Sequence, residues 1–316
     1  MNKLSFVIPC YNSEQTIKDV VNSIKKELES KYLSNYEIIL VNDFSRDNTS
    51  AVIEKLAQND QKIVAINFSK NFGQHSALMA GFRNSTGDII IYLDDDGQCP
   101  VDKVFELIEP LKNGFDISIA DYGKKKQSKF KNFGSKVNDI MAERLINKPK
   151  DLKLSNFGAM KRFVVDEIIR YKNCYPYIAG LMLRTTSNIA NVKMEENERQ
   201  SGSTNYNLRK LLSLWLNGFT SFSVKPLRIT TIIGILFALI GFIFGLYTII
   251  NKLFINNNIA WGYSTIVSLL TFFNGITLMV LGMIGEYIGR IFISLNKSPQ
   301  YVIKNSINLN KKEDQK

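Results

Sequence analysis

Histidine is almost missing from these 316 residues: there is one, His75, alongside only three cysteines, Cys10, Cys99 and Cys174. The cysteines lie far apart, with no CxxC pair and no metal-ligand spacing. That excludes a disulfide framework and fits a reducing compartment. A lone histidine at the start of a helical run reads as structural, and no Ser-His-Asp assembly can be built around it. Two glycine signatures are absent as well. No GxGxxG follows the first strand pattern and no GxxxxGK[ST] occurs, which removes the dinucleotide fingerprint and the P-loop. The opening MNKLSFVIPCYN reaches polar residues too soon for a signal peptide.

Charge is what the rear of the chain lacks in places. Nothing charged stands between Ile229 and Ile250, and after Lys252 the next charge is Glu286. Crossing a bilayer takes roughly 20 apolar residues, so two spanning helices are expected, at 229–250 and at 263–285 with an extension to 293. Lys225 and Arg228 precede the pair, and Arg290, Lys297, Lys304, Lys311 and Lys312 follow it, which puts both termini on the cytoplasmic side. The net charge of +11 is uneven: residues 1–100 carry 10 Lys/Arg against 13 Asp/Glu, the remainder 30 against 16. This basic rear is expected to face a lipid bilayer and not a nucleic acid. Residues 124–136, KKKQSKFKNFGSK, read equally as a solvated loop and as one that grips phosphates or the membrane surface. In 207–228, Leu208, Leu211, Leu212, Trp215 and Phe219 share one side, the pattern of a helix lying in the interface. The spacings Gly241-x-x-x-Gly245 and Gly285-x-x-x-Gly289 permit close helix packing, either within the hairpin or between subunits; a homo-oligomer through the transmembrane region is expected. Glu286 and Arg290, four apart, are expected to pair along the helix.

The front alternates strand and helix patterns. LSFVIP (4–9), YEIILV (36–41), KIVAIN (62–67), DIIIYL (88–93) and FDISIA (115–120) are short β-rich runs. Between the first two, Ile17, Val20, Val21, Ile24 and Leu28 recur at helical spacing, with Ser13 as the expected N-cap. Such alternation predicts an α/β fold, a mostly parallel sheet between helices. Ligands then bind beyond the carboxyl ends of the strands. Those ends carry Tyr11/Asn12, Asn42/Asp43, Asn71 and Asp94–Asp96, four polar clusters on one rim.

Together, FVIPCYNSEQTI, IILVNDFSRDNT, NFSKNFGQHSALMAGF, LDDDGQCP, RQSGSTNYNLRKL, SVKPLR and GMIGEYIGRIF resemble the family 2 glycosyltransferases of the GT-A fold. Within them the resemblance is to polyprenyl-phosphate glycosyltransferases: bactoprenol glucosyltransferases, the undecaprenyl-phosphate aminoarabinose transferase and, more distantly, dolichyl-phosphate mannose synthase. It runs from about residue 4 to about residue 303. It implies a GT-A catalytic domain over 1–206, an interfacial helix over 207–228, a transmembrane hairpin over 229–293 and a basic cytosolic tail over 294–316. By that resemblance Asp94 and Asp96 form a DxD motif, whose aspartates bind Mg2+ or Mn2+ with Gln98 as a further ligand. A hard divalent cation wants oxygen ligands and offsets carboxylate repulsion. On a continuing strand, residues 94 and 96 would share one face and Asp95 the other.

The resemblance further implies that Pro9, Tyr11, Asn12 and Glu14 line the nucleotide pocket and that Asp43 meets the uracil or ribose. Asn71, Gly73 and Gln74 would continue the donor wall, with Asp95 beside it. Where the family often reads DDGS, this chain has NDFS, with Phe44 replacing glycine. Arg199, in RQSGSTNY with Gly202, Thr204 and Tyr206 in register, would assist the diphosphate. Several relatives place a proposed catalytic aspartate where this chain has Asn156. An amide takes up no proton, so the substitution favours an acceptor that is already ionised, which Asn156 then orients with help from Lys161 and Arg162. The implied function is inverting, metal-dependent transfer from a nucleotide-sugar, expected to be a UDP-sugar, to a polyprenyl phosphate at the cytoplasmic face of the inner membrane. Two alternatives stay open. One is an inactive membrane scaffold or lipid-carrier binding protein. The other is a processive polysaccharide synthase, although neither Trp215 nor Trp261 sits in a QxxRW motif.

Overall fold

The computed structural model describes residues 3–123, 148–197, 263–295 and 299–309, with 143, 236, 243 and 250 as isolated positions. The chain divides into two compact units, Met1–Leu208 with Lys297–Lys316, and Arg209–Asn296.

In the first unit the alternation of the sequence becomes β1 (Leu4–Cys10), α1 (Ile17–Ser30), β2 (Tyr36–Asn42), α2 (Thr49–Asn59), β3 (Ile63–Phe68), α3 (Gln74–Asn84) and β4 (Ile89–Tyr92). These four strands are parallel, in the order β4-β1-β2-β3. Every residue of β1, β3 and β4 is buried, as befits a sheet covered on both faces. α1 buries Ile17, Val20, Val21, Ile24 and Leu28, each worth roughly 1.5–3 kcal/mol. It begins at Ile17 after Thr16, four residues beyond the expected cap. Ser13 instead offers its carbonyl to the amides of Thr16 and Ile17 in the turn before it. α3 is buried continuously from Ser76 to Phe82 and passes close to β1 at Gly81, facing Val7.

Beyond β4 the sheet turns mixed. After α4 (Val104–Lys112) come β5 (Ile117–Asp121), β6 (Gly158–Lys161), α5 (Arg162–Ile169), α6 (Ile178–Thr185) and β7 (Ile189–Lys193). β6 runs antiparallel between β4 and β5, and β7 pairs parallel with β5. The full order is β7-β5-β6-β4-β1-β2-β3-β8.

The last strand, β8 (Ile303–Ile307), lies within the stretch expected as a basic tail and pairs antiparallel with β3. Tyr301 stacks on Phe68 with ring centroids 5.2 Å apart, and Gln300 Nε2 donates to the carbonyls of Tyr171 and Asn173 at 2.8 and 2.6 Å. Asn308 Nδ2 reaches the carbonyls of Ala57, Asp60 and Ile63, closing the C-terminal end of α2. Lys304 is exposed on this edge, the usual protection of an outer strand.

In the second unit α7 (Tyr263–Leu295) has 33 residues, about 50 Å at the helical rise. It exposes Ile266, Leu269, Leu270, Leu281, Ile284, Ile288 and Ile291. Counted over described side chains alone, no helix among the described residues is long and apolar enough to cross a membrane. The expected stretches 124–136 and 207–228 lie outside the described residues. So does the first expected span, save Leu236, Ile243 and Ile250, each helical and exposed.

Candidate active site

The strand register brings the rim together. Cys10 pairs with Asn42, and Asn42 with Asn67, so β1, β2 and β3 end level and their following loops share one face. β4 stops at Tyr92, and Asp94–Asp96 therefore sit in the loop beyond it. Strand alternation cannot sort these three carboxylates. The loop does so instead, turning at Gly97 with φ 77, and gives each aspartate a different partner.

Asp94 Oδ1 accepts from Gln74 Nε2 at 2.7 Å and Oδ2 from Asn156 Nδ2 at 2.9 Å. Burial raises its pKa to about 7, the Asn156 amide opposes that rise, and the charges of Asp95 and Asp96 add to it. Asp95 turns away to accept from the Tyr11 amide at 2.9 Å, fastening the end of β1 to the end of β4. Burial raises its pKa too, against the Tyr11 and Ser13 hydrogen bonds. Asp96 Oδ1 accepts from the Gln98 amide at 3.1 Å, and the Gln98 carbonyl accepts from the Asn197 amide at 3.0 Å.

Asp43 is buried, with its carboxylate committed to the loop before α3: Oδ1 accepts from Phe72 N at 2.6 Å and Oδ2 from Gly73 N at 2.8 Å. Burial lifts its pKa to about 6 against those two amides. Its carbonyl accepts from Asn71 Nδ2 at 3.0 Å, and Gly73 takes φ 91 where α3 begins. Asp43, Asn71, Gly73 and Gln74 are thus one constellation, whose last member reaches Asp94.

Asn12 and Glu14 brace the β2–α2 loop. Asn12 Oδ1 accepts from the Arg46 amide at 2.9 Å, its own amide donates to Ser45 Oγ at 3.0 Å, and Glu14 Oε2 accepts from the Asn48 amide at 2.9 Å. Pro9 lies within β1 opposite Val41. Tyr11 and Phe44 are the rim's exposed aromatics, at 48% and 49%. Arg199, with Gly202, Thr204 and Tyr206, lies outside the described residues.

Lys161 and Arg162 stand elsewhere than expected. β6 runs antiparallel to β4, with Gly158 opposite Tyr92 and Lys161 opposite Ile89. Asn156 therefore approaches Asp94 while Lys161 and Arg162 occupy the far end of the strand, roughly 10 Å away at the strand rise. There Arg162 donates to the Gly87 carbonyl and Ser85 Oγ, and Lys161 pairs with Asp116 at 3.4 Å. Both are structural braces.

Sequence reasoning missed the layer beneath the rim. Asn42 Nδ2 donates to Asn67 Oδ1 at 2.8 Å, Asn67 Nδ2 to Glu54 Oε1 at 2.7 Å, and Asn305 Nδ2 to Glu54 Oε1 at 3.1 Å. This chain links the final strand to the loop carrying Phe44, since Asn42 Oδ1 accepts from the Ser45 amide at 3.0 Å. His75 is desolvated by burial to a pKa of about 4 and packs edge-on against Tyr177, so it stays neutral. Cys99, pushed up to about 12 by burial and then by Asp94, stays a thiol.

Among the described residues no group of three or more His, Cys, Asp or Glu side chains could hold a metal ion. Asp94 and Asp96 supply two carboxylates on one loop, and two suit a cation that completes its shell with phosphate oxygens and water, as Mg2+ does.

The family model for glycosyl transferase family 2 matches residues 5–169, and the model for the GtrB C-terminal hairpin matches residues 225–291. An uncharacterized glycosyltransferase of Bacillus subtilis, YkcC, is 33% identical over 312 residues, covering 98% of this chain and 95% of that protein. A prophage bactoprenol glucosyl transferase homolog of Escherichia coli is 33% identical over 303 residues, covering 96% and 98%. An undecaprenyl-phosphate 4-deoxy-4-formamido-L-arabinose transferase of Proteus mirabilis is 30% identical over 322 residues, covering 98% and 96%. Among solved structures, Mycobacterium tuberculosis glucosyl-3-phosphoglycerate synthase in complex with Mn2+ and UDP-glucose superposes with a TM-score of 0.51. At 21% identity, over 67% of this chain and 75% of that one, it shares the fold.

Proposed function

The chain belongs to glycosyl transferase family 2, and from that premise we propose that it moves a sugar from a nucleoside diphosphate onto a polyprenyl phosphate at the cytoplasmic face of a membrane. The observation that carries this reading is the rim itself. Asp94 meets the Gln74 and Asn156 amides there, with Asp96 two residues on in the same loop, and Gln74 follows the loop that Asp43 shapes. Relatives whose names specify bactoprenol or undecaprenyl phosphate, matched over nearly their whole length, support the acceptor. The hairpin match over 225–291 and the outward-facing apolar side chains of α7 support the bilayer. Anchoring beside the lipid brings a water-insoluble acceptor to the site.

The departing nucleoside diphosphate carries away the electron pair of the bond it loses at the anomeric carbon. A divalent cation held by Asp94 and Asp96 would supply the Lewis acidity for that departure. Gln74 and Asn156 fix the orientation of the Asp94 carboxylate, each through one oxygen. Asp43 holds the Phe72 and Gly73 amides in place, keeping the start of α3 and with it Gln74 in position. The opposite face of the sugar needs a nucleophile. A phosphomonoester with a second pKa of about 6 arrives largely ionised, so its oxygen attacks without a base, and inversion follows from in-line displacement. Asn156 suits this arrangement because no proton has to be removed there.

The deciding experiment supplies the full chain in detergent with a short-chain polyprenyl phosphate, Mn2+ or Mg2+, and a panel of nucleotide sugars. Turnover should require the metal and drop at least about 100-fold in Asp96→Asn, the order for loss of one electrostatic stabiliser. A wild type no faster than Asp96→Asn on every donor would leave the membrane scaffold as the better reading.

A further inference from the structure

Phe44 holds a conformation that costs energy and still leaves half of the residue in solvent. Its φ is 58, in the left-handed region, where a residue with a Cβ sits roughly 1–2 kcal/mol above the right-handed one. A large apolar side chain in that region would ordinarily recover the cost inside a core. This one is 49% exposed.

The surroundings fix the strained turn from both sides. Ahead of it, the Asp43 amide donates to the Cys10 carbonyl at 2.9 Å, and the Asp43 carboxylate and carbonyl bind the 71–73 loop. Behind it, Ser45 is held by Asn42 Oδ1 and by the Asn12 amide, and the Arg46 amide donates to Asn12 Oδ1. Asn12 also takes positive φ, at 55. Strain that a surrounding network over-determines is a mark of a working site. The register brings a second aromatic to the same rim: Cys10 is level with Asn42, so Tyr11 and Phe44 leave neighbouring strand ends, and Tyr11 is 48% exposed. Two exposed aromatics flank a rim that otherwise offers amides and carboxylates.

We infer that Phe44 is a nucleobase-binding residue of the donor site, its ring forming with Tyr11 an aromatic wall for a planar base. This rests on the reading of the rim as a nucleoside diphosphate site. Rings accept any planar base on their faces, and each such stack is worth about 1–3 kcal/mol. The wall therefore adds affinity for the nucleoside part alone and none for the pyrophosphate, which the aspartate loop would take.

Calorimetric titration of the full chain in detergent with Mn2+, using UDP and inorganic pyrophosphate as probes, separates the contributions. Phe44→Gly should weaken UDP about 5- to 150-fold, the range of one lost stack, and leave pyrophosphate unchanged. Phe44→Trp should keep UDP binding. Because glycine takes positive φ freely, the melting temperature of Phe44→Gly should hold or rise by up to about 4 °C. A purely structural role predicts the reverse: lower melting temperature, with UDP and pyrophosphate weakened together. That result overturns the inference, as does equal UDP affinity in Phe44→Gly and wild type, which leaves the donor reading standing. A wild type that binds pyrophosphate and no nucleotide removes the donor reading and the inference with it.

Discussion

Gly81 lies inside α3 where that helix crosses β1, and replacing it with alanine tests how tightly the site is tied to the core. A Cβ there would fall far inside contact with Val7 Cγ1 and stand 3.3 and 3.4 Å from Val7 Cβ and Cγ2. Carbon atoms at rest keep about 3.5–4.0 Å apart. Val7 is fully buried and β-branched, with few χ1 alternatives, so α3 must lift from the sheet. Overpacking of this kind costs about 1–3 kcal/mol. A clash this deep falls in the upper part of that range, about 2–3 kcal/mol; losing a helix glycine returns about 1 kcal/mol, and the net loss is about 1–2 kcal/mol. That is a fall of about 2–8 °C in melting temperature for a domain of this size. Lifting α3 also draws Gln74 from Asp94, a bond of 2.7 Å, so turnover should drop well below the unfolding range. Thermal unfolding and turnover are measured on Gly81→Ala, Val7→Ala and the double variant. In the double variant the new methyl occupies space that Val7 vacates. The pair should then be more stable than the single losses sum to, with a coupling of about 1 kcal/mol or more. Strict additivity, or Gly81→Ala melting at or above wild type, would refute the packing argument.

Two further outcomes follow from the hydrogen bonds. Gln74→Ala removes a charge-assisted bond worth about 1.5–3 kcal/mol to Asp94, so half-activation of turnover should need about tenfold more Mn2+ or greater; an unchanged metal titration refutes the role given to Gln74. Glu37 accepts from Lys3 Nζ, Ser5 Oγ and Thr86 N and Oγ1; burial alone would raise its pKa, but these bonds outweigh it and hold it low. A depressed carboxylate contributes stability above its unfolded pKa of about 4.3 and loses it as pH falls through the folded value. The melting-temperature gap between wild type and Glu37→Gln should therefore be widest near neutrality and close below about pH 4; a gap independent of pH counts against the assignment.

Periodicity made the parallel half of the sheet legible, because β1 to β4 are apolar runs separated by helices with one apolar stripe. It also located the rim, since polar residues right after such runs can only be strand ends. β8 was invisible to that reasoning: IKNSI has two apolar residues four apart, neither alternation nor a run. β6, just GAMK, is too short for any period. The pairing of Asn156 with Asp94 crosses 62 positions and depends on β6 running antiparallel to β4. Nothing local to either residue announces it. The same strand direction removes Lys161 and Arg162, near neighbours of Asn156 in sequence, to the opposite end.

The closing strand has a consequence for how the molecule is made. Asn308, which seals the end of α2 through the Ile63 carbonyl, follows Ile63 by 245 positions. At about 5–20 residues per second the ribosome takes on the order of 12–50 s to cover that interval. Throughout it β3, apolar but for Asn67, presents an unpaired backbone edge, the kind of template on which nascent chains stick to one another. Completion of the first layer thus waits until the hairpin stretch has been translated. A water-soluble fragment ending before that stretch would carry the raw flank permanently, whereas splicing residues 299–309 back on through a flexible tether supplies the missing ribbon.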